Sequence, residues 1–71
     1  LPITKEQEKL YQYKEYADSV DAELKKLRKI ETQVRNSNMS QDQKRDEIRY
    51  INIQRNSLTY LLPEIRKEIY G

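Results

Sequence analysis

The stretch VDAELKKLRKIETQVRNSNMSQDQKRDEIRYINIQRNSL, residues 20–58, decides the fold. Apolar side chains recur through both of its arms at alternating steps of three and four residues, and the middle segment NSNMS, residues 36–40, interrupts them. The first stripe extends outward as Leu10, Tyr13, Ala17, Val20, Leu24, Leu27 and Val34, and the second as Ile48, Ile51, Leu58, Leu62, Ile65 and Ile69. This spacing places each stripe on one face of an α-helix, at the a and d positions of a heptad repeat.

The two stripes match each other when the chain folds back on itself. If Leu10 faces Ile69 and Leu27 faces Ile51, the apolar positions between them also pair in one constant antiparallel register. A short connection between two helices requires the second to run antiparallel to the first. We therefore predict an all-α fold: an antiparallel, coiled-coil-like two-helix hairpin that forms a single module over residues 1–71.

Helix boundaries can be read from capping signals. Thr4 with Gln7, and Ser40 with Gln43, each form the Ser/Thr-x-x-Gln pattern of a capping box, in which side chain and backbone at a helix start satisfy each other. Asn at the end of the first segment tolerates the left-handed conformation that closes many helices. The predicted elements are a helix at 5–35, a loop at 36–40, a helix at 41–62 and a short helix at 64–70.

Pro63 separates the last two predicted elements. Proline has no backbone N–H and its ring clashes with the preceding turn, so it kinks or ends a helix. The apolar stripe nevertheless keeps its phase across this residue, through Leu62 and Ile65. We therefore expect a kink, or a brief break, with the final segment still packed against the first helix.

Each stripe contains one charged position. Glu31 occupies a stripe position in the first helix, and Arg55 occupies one in the second. In the predicted register Arg55 faces Leu24, near Asp21. A polar residue at such a position can fix the register of a coiled coil. The alternative is that the arginine stem lies along the seam between the helices and its head stays in water.

Several large apolar side chains fall outside the stripes. Tyrosines cluster at the end of the hairpin away from the loop, and three aliphatic residues lie beside the stripes. Tyrosine is common at protein interfaces because it joins apolar area to a polar tip, although these tyrosines could also cover the end of the hairpin as local core. The predicted interface residues are Tyr11, Tyr16, Ile30, Ile53, Tyr60, Leu61 and Tyr70.

Charge is distributed unevenly along the hairpin. Residues 1–24 hold three Lys and six acidic residues, a net charge of −3, whereas residues 25–55 hold nine Lys and Arg and four acidic residues, a net charge of +5. The basic loop end could contact phosphates or an acidic protein surface, or it could be an ordinary solvated helix surface. Its candidate contact residues are Lys25, Lys26, Lys29, Lys44, Arg45 and Arg49.

The composition offers little to catalysis. The chain has no His and no Cys, and its single Gly excludes a glycine-rich phosphate loop. Acidic pairs one helical turn apart, such as Asp42 with Asp46, could in principle share a metal ion, but ordinary solvated charges account for them. We therefore predict that the chain is not an enzyme, holds no cofactor and no metal, and has no membrane span.

The pattern Ser40-x-x-x-Lys44-Arg45-x-x-Ile48-x-x-Ile51-x-x-x-Arg55-Asn56-x-Leu58 resembles helical segments of very large bacteriophage proteins, namely internal virion (ejection) proteins and large polyvalent proteins. The resemblance covers roughly residues 20–60. It implies a structural segment of a virion protein and carries over no catalytic residue. The chain begins at Leu1-Pro2 without a start methionine, which fits the expectation of a piece of a larger protein.

The sequence thus favours a structural or protein-interaction module whose partner is another protein, a second copy or the remainder of a parent protein. The alternative is a nucleic-acid-associated module that uses the basic loop end. The N-terminus shows no charged-then-apolar secretion signal, and a cytoplasmic or virion location would suit either function.

Overall fold

The structure, a computed structural model that describes residues 3–71, is an antiparallel hairpin of two α-helices. Helix α1 spans Lys5–Arg35 and helix α2 spans Gln41–Tyr70. Together they form a thin plate whose Cα atoms extend over 58 × 22 × 6 Å. The all-α two-helix hairpin predicted from the stripes is therefore confirmed. Neither helix is long and apolar enough to cross a membrane.

Both predicted capping boxes are present. The backbone N–H of Gln7 donates to Thr4 Oγ1 at 3.2 Å, and Gln7 Oε1 accepts from the Thr4 backbone N–H at 3.1 Å. Ser40 and Gln43 repeat the arrangement at the start of α2, at 3.2 and 3.1 Å. The first N–H groups of a helix have no partner within the helix. Each capping box gives a partner to two backbone N–H groups, that of the N-cap residue and that of the third helical residue, which explains why the helices begin where they do.

The loop closes α1 without a left-handed residue, since no non-glycine residue from 3 to 71 has a positive φ. Asn36 instead keeps a φ of −92° and donates its N–H to the Thr32 carbonyl. The Ser37 hydroxyl donates to the Val34 carbonyl at 2.6 Å, and Lys44 Nζ reaches back from α2 to the Arg35 carbonyl at 2.9 Å. Side chains therefore satisfy the last carbonyls of α1, and the loop needs no conformational strain.

The seam, meaning the line of contact between the two apolar stripes, is most closed beside the loop. Leu27, Val34 and Ile51 are buried together there, and Ile51 is only 2% exposed. Toward the open end, only Val20 is buried, and Leu10 at the end of the stripe is 45% exposed. The seam thus loses closure with distance from the loop.

Helix α2 continues through Pro63, so the kink or break expected there is not confirmed. The proline has no N–H to donate to the Thr59 carbonyl, four residues earlier. Packing on both sides holds the helix in place nevertheless, because Leu62 and Ile65 are both half-buried against α1. Tertiary packing therefore outweighs the local preference of proline to end a helix.

Candidate protein interface

The two charged positions of the stripes meet across the seam. Arg55 Nη2 lies 3.1 Å from Glu31 Oε2, and the second carboxylate oxygen of Glu31 accepts from Arg35 Nη2 at 3.3 Å. The side chains of Arg55 and Glu31 are 33% and 21% exposed, so the pair is half-withdrawn from water. Arg55 also donates from Nη1 to the side-chain oxygen of Asn52 at 3.3 Å. The result is a small interhelical network of charged hydrogen bonds.

Hydrogen bonding from Arg55 lowers the pKa of the Glu31 carboxyl below its ordinary value of 4.5. Partial burial opposes this shift, and Arg35 adds to it through a second hydrogen bond. Two guanidinium groups favour the ionised carboxylate more strongly than its loss of water disfavours it. Glu31 is therefore held as an anion between the helices.

Arg55 was expected opposite Leu24, near Asp21, and its charged partner was not anticipated. That partner is Glu31, about two helical turns closer to the loop than Leu24. Asp21 pairs instead with Lys25 of its own helix, at 3.6 Å. The signal that could have found the true partner was in the sequence: the one acidic and the one basic interruption of the stripes were complementary. The long arginine side chain allows the two to meet although they are not directly opposite.

One predicted interface residue, Ile53, lines a shallow groove on one broad side of the plate. The groove has a volume of about 330 Å³ and is lined by Glu23, Leu27, Ile53, Gln54, Ser57 and Leu58. Its floor is apolar because Leu27 and Leu58 belong to the seam. Ile53, which is 59% exposed, forms part of its wall. The groove shows which edge of the seam remains open to a partner.

Heptad spacing places further apolar residues on the same side. Glu23 of α1 and Gln54 of α2 line the groove. Tyr16 and Ile30 lie seven residues before and after Glu23, and Leu61 lies seven residues after Gln54. Seven residues are two turns of a coiled-coil helix and return to the same side. All these side chains are at least 44% exposed. We name this side the apolar face, and define it by Tyr16, Ile30, Ile53 and Leu61 around the groove.

The other broad side of the plate is polar. Arg35 and Arg45 line a second depression beside the loop, and the heptad positions in line with them along the plate are all polar or charged. We name this side the polar face, and define it by Lys14, Asp21, Arg28 and Arg35 of α1 and Arg45, Asn52, Thr59 and Arg66 of α2. The two broad sides of the hairpin thus differ in polarity, in addition to the difference between the seam side and the solvent side of each helix.

The other predicted interface residues do not line the groove. Tyr60 is 76% exposed and lies seven residues after Ile53, so heptad spacing places it in line with Ile53 on α2. Tyr70 contacts Tyr13 edge-on, with ring centroids 6.4 Å apart and planes at 61°, and so acts partly as local core at the open end. Tyr11 is exposed, but it lies toward the polar face. Heptad spacing therefore groups the aliphatic candidates with Tyr16 on the side of the groove, places Tyr60 in line with Ile53, and leaves Tyr11 and Tyr70 apart from them.

Most cations of the basic loop end already have local partners. Lys25 pairs with Asp21 and Lys26 with Glu23, and Arg45 lies 3.6 Å from both Asp42 and Asp46. Lys44 donates to a backbone carbonyl of α1. Within residues 3–71, Lys29 and Arg49 have no acidic side chain within ion-pair distance. Over the same residues, no group of three or more His, Cys, Asp and Glu side chains could hold a metal ion.

Comparison with known proteins adds no assignment. No family model matches the chain, and no significant match is found among curated proteins or solved structures.

Proposed function

We propose that this chain is a non-catalytic protein-interaction module that assembles through helix packing. The observation that carries the proposal is the apolar face: Tyr16, Ile30, Ile53 and Leu61 remain at least 44% exposed beside an open apolar groove. Exposed apolar side chains grouped around a groove, with polar groups such as Glu23 and Gln54 beside them, fit the pattern of a protein-binding site. A third helix, or another pair of helices, packed on this face would convert the plate into a bundle with an enclosed core.

The thinness of the plate supports the same conclusion. Four apolar side chains are buried across residues 3–71, namely Val20, Leu27, Val34 and Ile51. Chains of this size seldom bury enough apolar area on their own to offset the conformational entropy lost on folding. Coverage of the apolar face by another protein surface would supply the missing burial.

The decisive experiment compares two double variants of α2. Ile53→Glu with Leu61→Glu places two carboxylates on the apolar face, and Asn56→Glu with Thr59→Glu places the same two charges on exposed positions away from it. Sedimentation equilibrium and circular dichroism are recorded over a wide range of protein concentration. We expect the native chain and the control variant to gain helicity and thermal stability as they associate, and the apolar-face variant to lose both association and this gain.

The opposite result is a native chain that is a stably helical monomer at every concentration, with a melting temperature that neither double variant changes. That result would contradict the proposal, because the apolar face would then need no cover.

The resemblance to phage internal virion and large polyvalent proteins adds a setting to this proposal. A hairpin with one apolar face would serve as a packing segment within such an assembly. This part of the proposal is supported by the sequence pattern of residues 20–60 alone.

A second candidate function is nucleic-acid association through the basic loop end. Its support is the net charge of +5 over residues 25–55, together with Lys29 and Arg49, which lack acidic partners among residues 3–71. It predicts binding that weakens steeply with salt and is lost on charge reversal of Lys26, Lys29 and Arg45. Absence of DNA and RNA binding at low salt would remove this candidate. The local ion pairs of Lys25, Lys26 and Arg45 make it the weaker of the two.

A further inference from the structure

The two ends of the hairpin carry opposite charge. The loop end, residues 25–55, has a net charge of +5, whereas residues 1–24 have −3 and residues 56–71 are neutral, with two acidic and two basic side chains. Because the chain folds back once, residues 1–24 and 56–71 together form the open end of a plate 58 Å long. The molecule is therefore a long electric dipole that also has one apolar face.

We propose that the partner covering the apolar face is a second copy of this chain, packed face to face with its loop over the open end of the first. This inference rests on the proposed function and adds the identity and the orientation of the partner. Charge complementarity selects both. Two copies with loops at the same end would bring their two basic loop ends together at one end of the dimer, whereas reversal of one copy places the basic loop end of each at the same end as the acidic open end of the other.

This arrangement has a two-fold axis that lies between the two apolar faces and runs along the 22 Å width of the plate. Helix α1 of one copy then packs antiparallel on α1 of the other. Tyr16 and Ile30 are equally distant from Glu23 along α1, so an axis near Glu23 brings Tyr16 of each copy opposite Ile30 of the other. The same axis brings the two Glu23 side chains near each other, and each keeps Lys26 of its own chain as a counter-ion at 3.2 Å. An isologous contact requires this self-complementary spacing. The two grooves meet in the middle, and the four helices enclose both seams.

The first test measures the distance between the two loops. The chain has no cysteine, so Asn38→Cys provides a single labelling site in the loop for a spin label. We expect a dimer whose label-to-label distance is about 45 Å, because Asn38 lies 15 residues from an axis near Glu23 on each copy and a helix rises about 1.5 Å per residue. A distance comparable with the 22 Å width of the plate would place the loops side by side and overturn the proposed orientation.

The second test uses salt. Between about 0.01 M and 1 M ionic strength the Debye length falls from about 30 Å to about 3 Å, which removes the attraction between opposite ends. We expect the dissociation constant of the dimer to rise over this range. A dissociation constant that falls as salt is added would indicate like charges in contact and would contradict the reversed orientation.

A matched pair of variants separates charge distribution from net charge. Lys29→Glu and Lys14→Glu each change an exposed lysine of α1 to glutamate, and each brings the net charge from +2 to zero. Lys29→Glu reduces the dipole and should weaken the dimer several-fold, whereas Lys14→Glu enlarges the dipole and should tighten it. Equal effects of the two variants would overturn the electrostatic argument.

These outcomes distinguish this inference from the proposed function. A dimer with its loops together removes the reversed orientation but keeps an interaction module. An unfolded monomer removes the second copy as partner and leaves the apolar face to a different protein. A stably helical monomer removes both.

Discussion

The two halves of the hairpin have the same kind of sequence and differ in how firmly they are closed. The loop half, residues 24–55, contains the buried cluster of Leu27, Val34 and Ile51 and the Glu31–Arg55 ion pair. The open half, made of the remaining parts of both helices, buries only Val20. Its other stripe residues stay half-buried or exposed, although they follow the same heptad spacing.

The difference shows what the loop contributes. Contacts near a short loop close few residues and cost little chain entropy, whereas contacts at the open end must hold the whole length of both helices together. The loop half also has more closing interactions, since Lys44 and Ser37 satisfy carbonyls of α1 beside the turn. Burial thus decreases toward the open end, where Leu10 is 45% exposed, although Ile48 beside the loop is only half-buried and Val20 in the open half is buried.

The largest expected effect comes from truncating the same residue type in each half. Ile51→Ala removes a side chain that is 2% exposed and should cost about 3 kcal/mol of the free energy of unfolding, whereas half-buried Ile69→Ala should cost about 1 kcal/mol. Urea unfolding at one fixed protein concentration measures both. Equal losses would show that the open half is as firmly packed as the loop half.

The next effect concerns Pro63 in the open half. Pro63→Ala restores an N–H for the Thr59 carbonyl and removes the steric conflict of the ring, so it should stabilise α2 by about 1–3 kcal/mol. Hydrogen exchange should show the protection concentrated in residues 56–70. If the protected amides lie in the loop half instead, the proline does not limit the stability of the open half.

The two capping boxes form a natural matched pair. Removal of an N-cap hydroxyl costs about 1 kcal/mol where the helix end is firmly held. Ser40→Ala acts beside the buried cluster and should lower the free energy of unfolding by that full amount. Thr4→Ala acts at the open end and should lower it by only a few tenths of a kcal/mol. Thermal unfolding of the two variants against the native chain provides the comparison, and a larger loss from Thr4→Ala would reverse it.

The smallest effect is the pH dependence of the ion pair. Because the pKa of Glu31 is lowered in the folded chain, its carboxylate stabilises the fold fully above the ordinary value of 4.5, and this contribution is lost as the pH falls through the lowered folded pKa. Glu31→Gln should flatten the dependence of stability on pH below about 4.5 relative to the native chain, as followed by circular dichroism. The control is Asp21→Asn, which removes one carboxylate from an exposed ion pair within α1 and leaves the pair between the helices intact. Identical profiles for the two variants would show that Glu31 is not responsible for the pH dependence of stability.

Much of this fold could be predicted from local patterns. The stripes, the capping boxes and the five-residue loop each depend on neighbouring residues, so the helix boundaries at Lys5, Arg35 and Gln41 agree with the sequence. Pro63 was harder, because whether a helix continues through proline depends on packing against α1 and not on the local sequence.

The candidate site was predictable in part. Ile30, Ile53 and Leu61 were correctly expected to be exposed beside the stripes. The partner of Arg55 was missed, because heptad pairing assumes that each side chain meets the residue directly opposite, and a long side chain can reach further along the seam. Tyr70 contacts Tyr13 across the helices, which fits the alternative that the tyrosines cover the open end as local core, while its 40% exposure leaves the interface prediction standing.

The hairpin topology also determines how the molecule would yield to mechanical force. Both chain termini emerge at the open end, so tension applied to them pulls α1 and α2 apart sideways and loads one pair of contacts at a time. The weakly closed half would separate first, at low force. Resistance would rise only when the opening reached Arg55 and Glu31, and the last connection to break would be the bond from Lys44 to the carbonyl of Arg35. The contacts that resist separation of the two helices most strongly are therefore those nearest the loop.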